Sequence, residues 1–184
     1  MPHIPLRSDL FGITSLLDYR KATAAPICEL TDLLLCGEST LSKAERELIA
    51  AHVSRLNDCN FCSAAHAAVT CRLFAGVEEP VNNNIDVLEV SDKMKALLHL
   101  AGKVQQGGRY VTQAAIDAAK ELGATDKEIH DTVLISALFC LYNRYVDGLA
   151  TLVPADPAFY NALSKRITGR GYSMPENGYH ALQY

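Results

Sequence analysis

The residues with the most chemistry in reach lie between Glu47 and His66, in the run ELIAAHVSRLNDCNFCSAAH. Cys59 and Cys62 stand in C-x-x-C spacing, which lets two sulfurs cycle between dithiol and disulfide. At about 100° per residue, Cys59, Cys62 and His66 fall within roughly 60° of one helix face. Cys62 and His66 are also an i, i+4 pair, the separation at which helical side chains touch. Cys59 lies in the first turn of the predicted helix, where unpaired N–H groups and the positive end of the dipole favour a thiolate. Glu47 lies on the preceding predicted helix. If the two helices fold back through Asn57 and Asp58, its carboxylate can face His66 and orient the imidazole as a base for a nucleophile.

Zinc is the main competing reading. Cys59, Cys62 and His66 would be three ligands, with Glu47, His52 or Cys71 as a fourth. Those three occupy consecutive turns of one helix, and no second ligand pair follows, so a redox dithiol without metal or cofactor is the favoured expectation. Cys28, Cys36, Cys71 and Cys140 have no motif around them and read as small buried hydrophobes. His52, His99 and His130 are assigned no role. Asn143 and Asp147, an i, i+4 pair flanking Arg144, read more readily as a helix-end network or subunit contact than as neighbours of the cysteines.

The elements that must hold these residues are all helical. A helix is predicted over residues 15–35, divided or kinked at Pro26 and stopped by Gly37. Ser42 and Glu45 form a capping box that opens the helix carrying Glu47. A helix from Cys59 to Phe74, ended by Gly76, carries the cysteines. Residues 80–86 read as a loop or short helix, with Asn82, Asn83 and Asn84 favouring turns. Further helices are expected over 92–105, over 113–122 behind a Thr112 cap, and over 129–152 behind a second capping box at Thr125 and Glu128. A last helix covers 156–167. No stretch alternates with a period of two between hairpin turns, so the fold class is all-α.

Composition bounds the function. The chain has 184 residues, 49% hydrophobic and 21% charged, as expected of one globular helical domain. Its core is placed at about 15–165, with an N-terminal arm over 1–14 and a C-terminal tail over 168–184. That tail shows little core-forming pattern, and Tyr172, Tyr179 and Tyr184 read as anchors. The net charge of −4 and pI near 5.8 give no footprint for nucleic acid. No membrane span or secretory leader is recognisable, so the expected location is cytoplasmic, where structural disulfides are rare.

The spacing Glu47-x11-Cys59-x2-Cys62-x3-His66 resembles the active-site signature of the alkyl hydroperoxidase D-like family, within the carboxymuconolactone decarboxylase-like superfamily. The run LSKAERELIAAHVSRLNDCNFCSAAHAA, and YNRYVDGL at 142–149, resemble its peroxidase-related branch. The likeness spans about residues 15–165. It implies a single-domain helical bundle that forms trimers or hexamers, and a thiol-dependent peroxidase reducing hydroperoxides through a dithiol/disulfide cycle. By that analogy Cys62 attacks the peroxide and Cys59 resolves the sulfenic acid to a Cys59–Cys62 disulfide. His66 and Glu47 would relay protons. The implied reductant is an external dithiol, which in the best-known members is a lipoyl group on a carrier protein. One position departs from the pattern, since those members carry a histidine where this chain has Phe61. Two alternatives stay open: a carboxymuconolactone decarboxylase-like activity, whose branch lacks the cysteine pair, and a non-peroxidase redox or zinc-binding protein.

Overall fold

The computed structural model describes residues 1–74, 84–176 and 178–179. Eight α-helices and no strand occur among them: α1 (Gly12–Tyr19), α2 (Lys21–Cys36), α3 (Lys43–Leu56), α4 (Asn60–Leu73), α5 (Asp92–Gln106), α6 (Gln113–Glu121), α7 (Asp126–Gly148) and α8 (Pro157–Arg170). The protein is all-α. None of the helices is long and apolar enough to cross a membrane.

Local chemistry sets most boundaries. Both capping boxes close: Ser42 accepts from the Glu45 amide and Thr125 from the Glu128 amide, while each glutamate returns to the cap backbone. Ser91, Thr112 and Asp156 cap α5, α6 and α8. Asn84 accepts from the Asp86 amide and opens a single 3₁₀ turn at Ile85–Val87. The expected stop at Gly76 and the turn residues Pro80, Asn82 and Asn83 lie outside the described residues, as does Tyr184.

The first helical segment breaks at a different place from the expected one. The chain turns at Arg20 (φ −135°, ψ 82°), and Pro26 lies inside α2. A proline there removes one bond, to the carbonyl four residues back. That carbonyl belongs to exposed Ala22 near the helix start, where water can satisfy it. The helix therefore continues through Pro26.

α3, α5 and α7 pack on one another around a core containing Leu48, Ile49, Val53, Met94, Leu97, Leu98, Ile135 and Phe139, all at most 1% exposed. α4 lies along α3, and α8 along α4. A second apolar cluster fills the space between α4, α8 and α1, with Leu16, Phe61, Phe159, Leu163 and Ile167 around Cys59 and Cys62. Residues expected in the arm and tail contribute to burial: Leu10 and Tyr179 pack with Leu17, Ala24 and Cys28 in a third cluster. The N-terminal segment is tied to the chain after α7 by hydrogen bonds from the His3 amide to the Leu149 carbonyl and from the Gly12 amide to the Leu152 carbonyl.

Candidate active site

α3 and α4 run antiparallel through a tight connection at Asn57 and Asp58, where Asp58 takes a left-handed conformation (φ 56°). Asp tolerates that region better than most residues. Arg46 fixes the start of α3 against α2 by donating to the Leu34 and Gly37 carbonyls, at 2.9 Å each, at the end of α2. The next residue, Glu47, then points inward and is 2% exposed. Glu47 Oε2 lies 2.7 Å from His66 Nδ1. Pairing Nδ1–H with this carboxylate leaves His66 Nε2 as the acceptor.

Tyr172 completes this arrangement. Its hydroxyl donates to Glu47 Oε1 at 2.5 Å and its ring lies 6.0 Å from the His66 ring, 15° from parallel. Enclosure of the phenol, beside the Glu47 carboxylate, pushes its pKa well above that of a free tyrosine and keeps it a donor. The placement depends on Gly171, whose φ of 69° ends α8. A Cβ there would stand 2.3 Å from Asp32 Oδ1, the atom that accepts the Tyr172 amide at 2.8 Å. Sequence reading assigned Tyr172 to the tail. Its one local signal is the Gly–Tyr step after a helix end.

Cys59 is the N-cap of α4 rather than a residue of its first turn, and is fully buried. The Cys62 thiol hydrogen-bonds to Cys59 and favours the thiolate there, against the cost of burial. The Cys62 amide adds in the same direction, although it does not close a capping bond. Cys62, donating to that sulfur and buried, has its own pKa raised well above an ordinary thiol. Of the two sulfurs, Cys59 is therefore the one whose thiolate is favoured, with Asp147 opposing it.

Access favours the other sulfur. A cavity of about 60 Å³ between α1, α2, α4, α7 and α8 is lined by Cys62, His66 and Tyr172, with Phe61, Phe139 and Leu163 among its apolar walls; Cys59 does not line it. A second cavity is lined by Glu47 with Asp32 and Lys43, and neither Cys62 nor His66 lines it.

Two residues of α7 also reach the cysteines, which corrects the expected helix-end role. Asn143, 1% exposed, donates to Ser54 Oγ at 3.0 Å and accepts from Asn57 at 2.8 Å. Its hydrogen bond to Cys62 partly offsets the upward push on that thiol. Asp147 accepts a hydrogen bond from the neutral Cys59 thiol, and that bond and the carboxylate's charge oppose the thiolate there. Their i, i+4 spacing was the usable signal. Arg144 is exposed and donates to the Cys140 carbonyl within its own helix. Phe61 packs with Phe159 and Tyr160 and supplies an apolar wall beside Cys62.

His52 lies apart, buried between α3 and α5. Among the described residues no three His, Cys, Asp or Glu side chains gather as a metal site would require.

Residues 22–79 match the profile of the carboxymuconolactone decarboxylase family. The fold is similar to the crystal structure of an uncharacterized peroxidase-related protein from Silicibacter sp. TM1040, with TM-score 0.72 and 24% identity over 81% of this chain and 78% of that one. It is also similar to an uncharacterized peroxidase-related protein from Ralstonia eutropha JMP134, described as an alkylhydroperoxidase AhpD core, with TM-score 0.70 and 26% identity over 82% of this chain and 79% of that one. No functionally curated protein matches the chain.

Proposed function

We propose that this chain, an alkylhydroperoxidase D-like member of the carboxymuconolactone decarboxylase superfamily, is a thiol-dependent peroxidase working through Cys59 and Cys62. The observation that carries the reading is the shared cavity: Cys62 and His66 face one space, and Glu47 and Tyr172 hold His66 from behind. Two solved neighbours described as peroxidase-related agree with it.

The steps follow from access and charge. A peroxide in the cavity meets Cys62 and not buried Cys59. The Cys62 proton passes to His66 Nε2 or to the Cys59 sulfur, and the Asn143 hydrogen bond helps stabilise the thiolate it leaves. The Cys62 sulfur then attacks the distal peroxide oxygen. The O–O bond breaks, Cys62 becomes a sulfenic acid, and the departing alkoxide takes a proton to leave as alcohol. Cys59, whose thiolate is favoured at the N-cap, attacks the Cys62 sulfur. The S–S bond forms and hydroxide leaves, protonated to water. In sum, dithiol plus hydroperoxide gives disulfide, alcohol and water. An external dithiol returns the pair to the reduced state. By the same reading the protein acts in the cytoplasm as a homo-oligomer, and a lipoyl carrier is one dithiol of the required chemistry.

Mass spectrometry of the purified protein before and after one equivalent of hydroperoxide tests this. The expected result is loss of two hydrogens, mapped to a Cys59–Cys62 bridge, reversed by a dithiol. If peroxide is not consumed and the cysteines stay reduced, the reading is wrong.

A further inference from the structure

We propose that Arg166 makes the cavity beside Cys62 a site for hydroperoxides bearing a carboxylate on an apolar chain. This rests on the peroxidase reading and names its substrate class. Arg166 projects from α8 into the same cavity that Cys62 and His66 line. Its Nε is buried with no hydrogen-bond partner, and no carboxylate among the described residues forms an ion pair with it. A buried donor left unmade costs about 1–3 kcal/mol, so the Nε–H of this half-buried side chain is poised for an acceptor.

The other polar side chains facing this space are largely committed. Thr31 and Tyr142 bond each other, as do Cys28 and Tyr179. Tyr172 and His66 Nδ1 are turned to Glu47, and Thr14 donates to the Phe11 carbonyl. Among the described residues, what remains for a ligand is one cation, His66 and the Cys62 sulfur. The walls between them are apolar, from Ile13, Leu17, Phe61, Ala65, Phe139 and Leu163. The groups on which Arg166 acts are thiol and phenol, from Cys28, Tyr172 and Tyr179. The carboxylates acting on the same groups, Asp32 and Glu47, are bonded to the Tyr172 amide and to His66 with the Tyr172 hydroxyl, and neither forms an ion pair with Arg166, so a ligand would bring the paired negative charge. The space, about 60 Å³, is several times the ~15 Å³ that admits one water and suits a slim chain. A carboxylate on Arg166 would anchor one end of such a molecule, leaving its peroxide group to reach Cys62.

The test uses a matched pair, 2-hydroperoxyhexane and 5-hydroperoxyhexanoate, with dithiothreitol as reductant. The expected result is a preference of about tenfold or more in kcat/KM for the carboxylate, expressed in KM. In Arg166→Gln that preference collapses toward unity, and in Arg166→Lys part of it returns. A preference unchanged in Arg166→Gln, or absent in the native protein, overturns the proposal. Calorimetric titration with hexanoate reads the same contact without turnover. Its Kd should rise about tenfold in Arg166→Gln, and an equal Kd in the folded variant also overturns the proposal. If the native protein consumes neither peroxide, the peroxidase reading falls on its own, and the hexanoate titration still decides whether Arg166 binds carboxylate.

Discussion

Tyr172 and Glu47 are joined by a hydrogen bond of 2.5 Å between the phenol and Oε1, the carboxylate oxygen that His66 does not use. Each oxygen thus has its own donor, from residues 106 apart in the chain. A carboxylate held on both oxygens cannot swing away from the imidazole, so the tautomer that leaves Nε2 open is fixed from two sides.

Tyr172→Phe removes one donor and keeps the ring that stacks on His66. A hydrogen bond to a charged group contributes about 1.5–3 kcal/mol, so turnover of a neutral hydroperoxide should fall about tenfold or more. Its pH profile should move as well, because a phenol acting only as filler would change neither the profile nor kcat. An unaltered kcat and pH profile in a folded Tyr172→Phe would remove Tyr172 from the proposed relay.

The two sulfurs differ in access and in charge, and single serine variants separate those properties. Cys62→Ser, which removes the sulfur that lines the cavity, should consume no peroxide. Cys59→Ser should consume one equivalent and stop at a Cys62 sulfenic acid, captured by dimedone as a mass increase on the peptide carrying Cys62. The thiolate preference at Cys59 makes the reverse outcome chemically reasonable. A dimedone adduct on Cys59 in Cys62→Ser would exchange the two roles.

Gly12 and Phe61 form a close packing contact beside the site. At Gly12 (φ +51°) a Cβ would lie 2.2 Å from the Phe61 ring. Gly12→Ala therefore adds a strained backbone to an overlap, and should destabilise by about 2–3 kcal/mol in urea unfolding. Gly12→Ala with Phe61→Leu should recover the overlap part and keep the backbone part. Strict additivity of the two single effects would mean the contact is not what constrains position 12.

The legible part of this molecule was its local chemistry. Ser42 with Glu45 and Thr125 with Glu128 announce helix starts because each pair satisfies backbone groups three residues apart. Glu47 and His66 could be paired from sequence because an antiparallel turn at Asn57–Asp58 brings neighbouring helices together. Tyr172 and Arg166 were beyond such reasoning. They enter from α8 and the chain after it, and nothing near them in sequence marks their contact with α3 or their place in the cavity. Asn143 and Asp147 were visible as an i, i+4 pair, but the direction they face depends on how α7 rolls against α3 and α4. Pro26 leaves α2 undivided for a related reason: the rule against proline in helices weakens where the orphaned carbonyl is exposed to water.

His52 gives the protein a measurable response to acid. It is 3% exposed, its Nε2 has no partner among the described residues, and burial, with smaller effects from His99 and Arg55, lowers its pKa from 6.5 to about 4. The unfolded chain takes up this proton near pH 6.5, whereas the folded protein takes it up only near pH 4. Between those values the unfolded state holds more protons, so the stability His52 allows is fully present above pH 6.5 and is lost as pH falls toward 4. The shift corresponds to a loss of about 3 kcal/mol. His52→Leu removes the titrating group and lets an apolar side chain meet Leu56 on the same face. Between pH 7 and pH 4 the variant should lose about 3 kcal/mol less than the native protein in urea unfolding, since every other acid-sensitive group is common to both. Parallel losses in the two proteins would mean that His52 reaches water, or finds a partner, before it must carry its charge inside.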